Sequence, residues 1–288
     1  MSVALITRHL QESFLDEFVQ YYLNEGIDTI YILQDIDGTV ELPEIPNVHI
    51  IQSQSFTTNQ LYDVNQLYTQ IRKMHTWFLF VDCDEFISCV NQEKDKTIRD
   101  MLFSTYKDVD CIMVPWVMMA CNHRDTNPDS LLQGIVHRWD HDKKHPHPNQ
   151  WHKGRCRHAK IEIKSIFKGE AVAKIDIHIP GTFKDNLLVI DSVYHNNNPI
   201  SPFYKGLHET EIAHARMLCF HYRIFSKEEC EKKLKGSKLA GYKEASFNDL
   251  WITDCAEKED TFLHGKSIQH FGTKTNAEKM NKNIHTSI

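Results

Sequence analysis

Residues 77–87 read Trp-Phe-Leu-Phe-Val-Asp-Cys-Asp-Glu-Phe-Ile, and no other stretch constrains the chain as much. Five apolar residues, Trp77 to Val81, end abruptly in Asp82, Asp84 and Glu85, and Phe86-Ile87 then return to apolar chemistry. A short, continuous apolar run of this kind reads as a strand buried on both faces, as in α/β folds. Ligands of such folds sit beyond the carboxyl ends of strands, which is where these carboxylates fall. Two aspartates spaced by one residue past a strand end turn toward one hard cation, magnesium or manganese, leaving coordination positions for phosphate oxygens.

Asp-x-Asp is also a cheap pattern in an acidic chain and alone describes a solvated turn. It occurs four times here, at Asp35/Asp37, Asp82/Asp84, Asp108/Asp110 and Asp140/Asp142. Only Asp82/Asp84 runs from core to charge and back to core, so the metal–phosphate reading belongs to that pair.

The preceding residues alternate between strand and helix patterns. Residues 3–7 form a first apolar run, and residues 10–24 place Phe14, Leu15, Phe18, Val19, Tyr22 and Leu23 on one helical face that stops at Gly26. Residues 29–33 and 48–51 read as strands, and residues 59–75 as a helix leading into Trp77. This alternation predicts an α/β sheet, mostly parallel, flanked by helices. Neither a G-x-G-x-x-G turn nor a Walker sequence is present, so a bound nucleotide would need carboxylates and a metal to neutralise its phosphates.

Beyond Trp77, residues 97–106 read as a helix and residues 111–119 as a strand interrupted by Pro115. Residues 121–158 are loop-like and hold His123, His137, His141, His145, His147, His152 and His158. The four-residue spacing of His137, His141 and His145, with Cys156 and His158 nearby, raises a zinc site; Pro146 and Pro148 spoil the helical pattern, and a surface loop over an acceptor is the preferred reading. Residues 159–163, 172–179, 187–190 and 219–225 read as strands, and Ser226-Lys-Glu-Glu229 as a capping box for a helix to about Gly236. The polar stretch 273–288 reads as a tail.

Net charge is −6 with a pI near 6.3, which argues against a nucleic-acid-binding surface. No apolar run approaches the roughly 20 residues of a membrane span, and the eight cysteines are scattered without a Cys-x-x-Cys pair. The first residues read as a strand rather than a signal peptide. Together these predict reduced thiols in a soluble, cytoplasmic protein.

The 77–87 segment resembles the Trp-x-x-x-x-Asp-x-Asp-Glu-Phe-Ile signature of nucleotide-sugar glycosyltransferases with the GT-A fold, and more narrowly the family 2-like and family 92 group. Thr7-Arg8 and Glu12 ahead of an apolar helix, and Gln60 and Asn65 ahead of the central strand, are similar to the group's spacing. So is His221-Tyr222-Arg223-x-x-Ser226, although Phe225 stands where the group carries lysine and Arg8-His9 where it carries Lys-Asn-Glu.

The resemblance implies a GT-A-like, Rossmann-type sandwich over residues 1–272. Residues 1–120 would form a nucleotide-sugar-binding half and residues 121–272 an acceptor-binding half. It implies a glycosyltransferase that moves a sugar from a UDP- or GDP-linked donor to a hydroxyl of a glycan or glycoconjugate, with inversion. Manganese or magnesium would be held by Asp82, Asp84 and His221, with His178 a competitor for the third place. Thr7, Arg8, Glu12, Asp35, Gln60, Asn65, Asp82, Cys83 and Asp84 would face the donor, Asp35 having a plain turn aspartate as its rival reading. Glu85, Trp151 and Lys153 would face the acceptor; Arg155 lies beside them. Asp176 and Asp191 are base candidates by position only. A nucleotidyl- or phosphotransferase and a non-catalytic carbohydrate-binding protein on the same fold are the alternatives.

Overall fold

The computed structural model describes residues 1–9, 13–35, 42, 44–53, 61–147, 154–183, 187–197, 199–236 and 247–272. The chain divides into two compact units, one of residues 1–118 and 140–222, the other of residues 119–139 and 223–288.

The first unit opens with β1 (Val3–His9), α1 (Leu15–Asn24), β2 (Thr29–Asp35), β3 (Val48–Ser53), α2 (Tyr62–Ile71), β4 (Trp77–Phe80) and β5 (Glu85–Cys89). It continues through α3 (Ile98–Phe103) and β6 (Cys111–Ala120), whose last two residues belong to the second unit. The second unit's α4 (Leu131–Gly134) and β7 (His137–Arg138) intervene. The first unit then resumes with β8 (Ile161–Lys168), β9 (Val172–Lys174), β10 (Thr182–Phe183), β11 (Val189–Asp191), β12 (Phe203–Tyr204), α5 (Glu209–His214) and β13 (Met217–His221).

Within this unit the sheet order is β6-β8-β4-β1-β2-β3. Strands β4, β1, β2 and β3 are parallel neighbours, as their alternation with helices predicts. The expectation of a mostly parallel sheet fails at β8, which lies antiparallel between β4 and β6. Strand β6 ends at Ala120 and β8 starts at Ile161 in the opposite direction, so the sheet is mixed. Antiparallel β5–β13 pairing adds to this, with Glu85 opposite His221.

Period-two alternation gives the sheet its two apolar faces. Ala4, Ile6, Phe78, Phe80 and Phe167 pack with Val64, Tyr68 and Ile71 of α2. Tyr68 meets Phe78 and Phe167 edge-on at 5.1 and 5.9 Å. On α1, Phe18, Tyr21 and Tyr22 gather around Phe86 of β5. The Tyr22 hydroxyl donates to the Glu85 carbonyl at 2.9 Å, so this aromatic cluster also pins the start of β5.

Three expected boundaries move for local reasons. Strand β6 runs through Pro115 without interruption: β11 pairs with it up to Met113 and β13 from Trp116 onward, so the missing N–H falls between two partners. The strand expected over residues 172–179 forms only as β9, because the Asp176 carboxylate takes the Ile177 N–H at 2.7 Å. The strand expected over 219–225 is β13, ending where the Tyr222 N–H turns to the Asp84 carbonyl.

In the second unit, Met119 and Ala120 pair with β7, and β7 with a short strand, Lys258–Glu259. Asp254 is buried there and accepts from the Cys121 and His123 amides, each at 2.6 Å. Of the capping box expected at α6 (Lys227–Gly236), the serine half is seen, with the Glu229 N–H donating to the Ser226 hydroxyl at 3.0 Å. Among the described residues no helix is long and apolar enough to cross a membrane.

Candidate active site

Strand β4 delivers the chain to a tight turn at Asp82–Asp84, closed by the Glu85 N–H donating to the Asp82 carbonyl at 3.0 Å. The Glu85 side chain folds back over the same turn, and its Oε2 accepts the Asp82 N–H at 2.8 Å. Core residues on both sides leave the turn little freedom, which is what the apolar framing of the motif predicts.

Asp82 is held by two cations. Its Oδ1 lies 2.9 Å from Arg8 Nη2 and its Oδ2 lies 3.0 Å from Lys164 Nζ. Burial opposes the charge of Asp82, but Lys164 and Arg8 outweigh it and hold the carboxyl well below the usual range. Lys164 reaches in from β8 and is wholly buried, with Nζ also 2.9 Å from Glu85 Oε2. Burial disfavours its ammonium, and the two carboxylates more than restore it. Glu85 has no exposed surface, and burial pushes its carboxyl up to about 8 against the pull of Lys164, with Asp82 and Asp84 adding to the rise. Arg8 and Lys164 both lie 5.6 Å from the Phe80 ring centroid, so one aromatic ring supports both cations.

Asp84 belongs to the other half of the turn. Its Oδ1 stands 3.6 Å from His221 Nε2, and its carbonyl accepts the Tyr222 N–H at 2.8 Å, which locks the β13 end to the turn. The His221 ring lies 4.2 Å from Trp116, whose other neighbour is the edge of His178 at 5.3 Å. His178 Nδ1 is 3.1 Å from the Ile163 carbonyl, and burial together with Lys164 disfavours its protonation.

The remaining predicted residues divide by position. Thr7 and Cys83 are buried against each other, Oγ1 to Sγ 3.3 Å, and the Cys83 thiol donates to the Arg8 carbonyl; they fasten β1 to the turn. Asp35 ends β2 on the same carboxyl edge of the parallel strands. Asn65 spends its amide on the Ile175 backbone, accepting its N–H at 2.8 Å and donating to its carbonyl at 3.1 Å. Asp191 ends β11 and accepts the Val193 and Tyr194 amides. Glu12, Gln60, Trp151 and Lys153 lie outside the described residues.

Sequence reasoning missed Lys164 and Trp116. Lys164 left no usable signal: in the run Ile-Glu-Ile-Lys-Ser-Ile-Phe, strand alternation puts it on the same face as Glu162, which reads as the solvent face. Trp116 left none, since tryptophan within an apolar strand reads as core.

A divalent ion can be tested against these atoms. Asp82 has both oxygens engaged by cations, whereas Asp84 and His221 place a carboxylate oxygen beside an imidazole nitrogen. The oxygen suits magnesium or manganese and the nitrogen the later divalent ions, so the pair fits a divalent ion without selecting one. The donor set therefore fits through Asp84 and His221, with Asp82 joining only by exchanging a cation.

No curated protein matches the chain. Among solved structures, HddC from Yersinia pseudotuberculosis is similar over 75% of this chain and 98% of its own, at 9% identity and a TM-score of 0.36. A197 from STIV is similar over 59% of this chain and 66% of its own, at 10% identity and a TM-score of 0.27. The decisive likeness is in sequence: the model of glycosyltransferase family 92 matches residues 12–254 and so takes in the Asp82–Glu85 turn, Lys164 and His221. The chain is a glycosyltransferase and belongs to family 92.

Proposed function

We propose that this glycosyltransferase moves a sugar from a UDP- or GDP-linked donor to a hydroxyl of a glycan or glycoconjugate, with inversion and with manganese or magnesium. One observation carries the reading: three carboxylates, two cations and an imidazole from four separated segments converge on the end of one buried strand.

Asp84 and His221 would hold the ion, which would supply Lewis-acid stabilisation of the donor diphosphate. Arg8 is the cation on the donor side of the turn. In exchanging Asp82 for a phosphate oxygen it keeps a charge-assisted hydrogen bond throughout and offers the leaving diphosphate a bidentate fork. Lys164 stays buried and fixes Asp82 and Glu85 in place. Glu85 is a positioning residue: it is too deep to touch an acceptor, and its carboxyl closes the turn that aims Asp84. Asp35, at the end of β2, meets the nucleoside, and Trp116 beside His221 offers an aromatic face to a sugar ring. Asp176 and Asp191 both turn their carboxylates onto neighbouring amides, so neither is favoured as the general base.

The test is a panel of nucleotide sugars incubated with the enzyme and assayed for nucleoside diphosphate release, with manganese and with chelator. Release from one donor, dependent on metal, supports the reading. No release from any donor, and none stimulated by oligosaccharide acceptors, favours a carbohydrate-binding protein on the same fold.

A further inference from the structure

The histidine-rich segment does not gather its residues as their spacing suggests. His137 lies in β7 of the second unit, and His141 is fully buried with Nδ1 3.2 Å from the Leu207 carbonyl. A different set meets instead. Asp142 Oδ1 is 2.8 Å from His208 Nδ1 and 3.7 Å from His158 Nδ1. The two imidazoles stack at 3.7 Å with 26° between their planes. One donor atom from each of the three side chains lies within 4.8 Å of the others.

The backbone builds this arrangement. The His158 N–H donates to the His141 carbonyl at 3.0 Å, and the His158 carbonyl accepts the Gly206 and Leu207 amides at 2.8 and 3.1 Å. The Asp142 N–H donates to the Asp140 carboxylate at 3.0 Å. Three segments distant in sequence are thus tied together by bonds that need no ion, and their side chains converge on one point. Gly206, at φ 80°, makes the turn that brings His208 back to His158.

We propose that Asp142, His158 and His208 bind a zinc ion with water in the fourth position. Ligands at zinc–nitrogen and zinc–oxygen distances of about 2.0–2.2 Å around a tetrahedral ion stand about 3.3 Å apart. The 2.8 and 3.7 Å separations from Asp142 bracket that spacing, and the two stacked rings swing apart to bring both nitrogens onto one ion. Two imidazoles with one carboxylate select a borderline ion over magnesium or calcium. His158 Nδ1 also lies 3.2 Å from the His141 carbonyl and leaves it to reach the ion; that carbonyl keeps the His158 N–H, so the exchange strands no buried group. All three side chains reach solvent, so the ion enters without opening the core. Once bound, it clips residues 140–158 to the turn at 206–208, from which α5 and β13 lead to His221.

The test uses the full chain without a histidine tag, stripped with chelator and titrated with cobalt(II), then zinc. The expected result is one equivalent of cobalt at this site, with the visible bands of a four-coordinate ion, displaced by one equivalent of zinc. The signal persists in Asp84→Ala, and affinity falls at least tenfold in His208→Ala and in Asp142→Asn. Zinc raises the melting temperature of the wild type and not of these two variants, while in chelator all melt alike. Should His208→Ala melt low in chelator, His158→Gln replaces it in the comparison. Absence of cobalt bands, or bands lost in Asp84→Ala and kept in His208→Ala, overturns the proposal.

Discussion

The turn at the end of β4 and the cluster at His158 and His208 are both made of titratable side chains, yet they are built by opposite rules. At the turn Lys164 and Glu85 are wholly buried while Asp82 is a third exposed, and the Asp82 partners come from distant strands: Arg8 is 74 residues from Asp82, and Lys164 is 82. At the histidine cluster Asp142 and His208 are exposed and His158 is partly so, and the backbone around them does the positioning. Burial makes the first a structural commitment as well as a chemical one, because a charge left alone in a core is expensive. Exposure makes the second replaceable without harm to the fold.

The sharpest break in that comparison is at Lys164. Lys164→Met leaves Asp82 and Glu85 without their buried cation and is expected to cost about 3–5 kcal/mol, read by urea unfolding. Adding Glu85→Gln to it restores part of that loss. A Lys164→Met protein within about 1 kcal/mol of wild type would mean that the turn does not depend on the charge compensation described here.

Asp84 comes next. Asp84→Ala removes one side chain from the turn while the Asp82–Lys164–Glu85 contacts remain, so the loss falls on ligand binding. Metal-dependent nucleotide affinity is expected to drop at least about tenfold, or about 1.4 kcal/mol, with unfolding changed by less than about 1 kcal/mol. Equal losses in both measurements would make Asp84 a structural residue.

Glu85 tests burial through pH. Its carboxyl is raised from 4.5 to about 8, so the folded state holds a proton there that the unfolded chain releases. Stability from this group is full below pH 4.5 and is lost as pH rises through about 8. Glu85→Gln lacks that loss, and its advantage over wild type is expected to grow to about 1–3 kcal/mol across the window. Parallel stability–pH curves for the two proteins would contradict the assignment.

The smallest effect belongs to the exposed cluster. His208→Ala in chelator is expected to unfold within about 0.5 kcal/mol of wild type. A larger loss, measured by the same denaturant titration, would show that the cluster carries fold stability of its own.

What the sequence disclosed follows from the same contrast. Asp82 and Asp84 were legible because an apolar run framed them, and the parallel strands β1, β2 and β4 because helices alternate with them. Lys164 was not, because a lysine on an alternating strand reads as solvent-facing until the neighbouring strands are known. The antiparallel insertion of β8 depends on strand order across 80 residues, which local pattern does not carry. Asn65 sits at the spacing the family resemblance asked for, but its amide is committed to Ile175. The imidazoles that meet at Asp142 come from positions 158 and 208; close spacing raised His137, His141 and His145 with His158 nearby, and nothing local pointed to His208.

The turn at Asp82–Glu85 is proposed as the donor site. Calorimetric titration of UDP and GDP into wild type and Asp84→Ala, with manganese and with chelator, tests it most directly. Binding of one nucleotide by wild type with manganese, abolished by chelator and by Asp84→Ala, is the expected result. Binding that is unchanged in Asp84→Ala, or indifferent to chelator, would place the nucleotide elsewhere and contradict it.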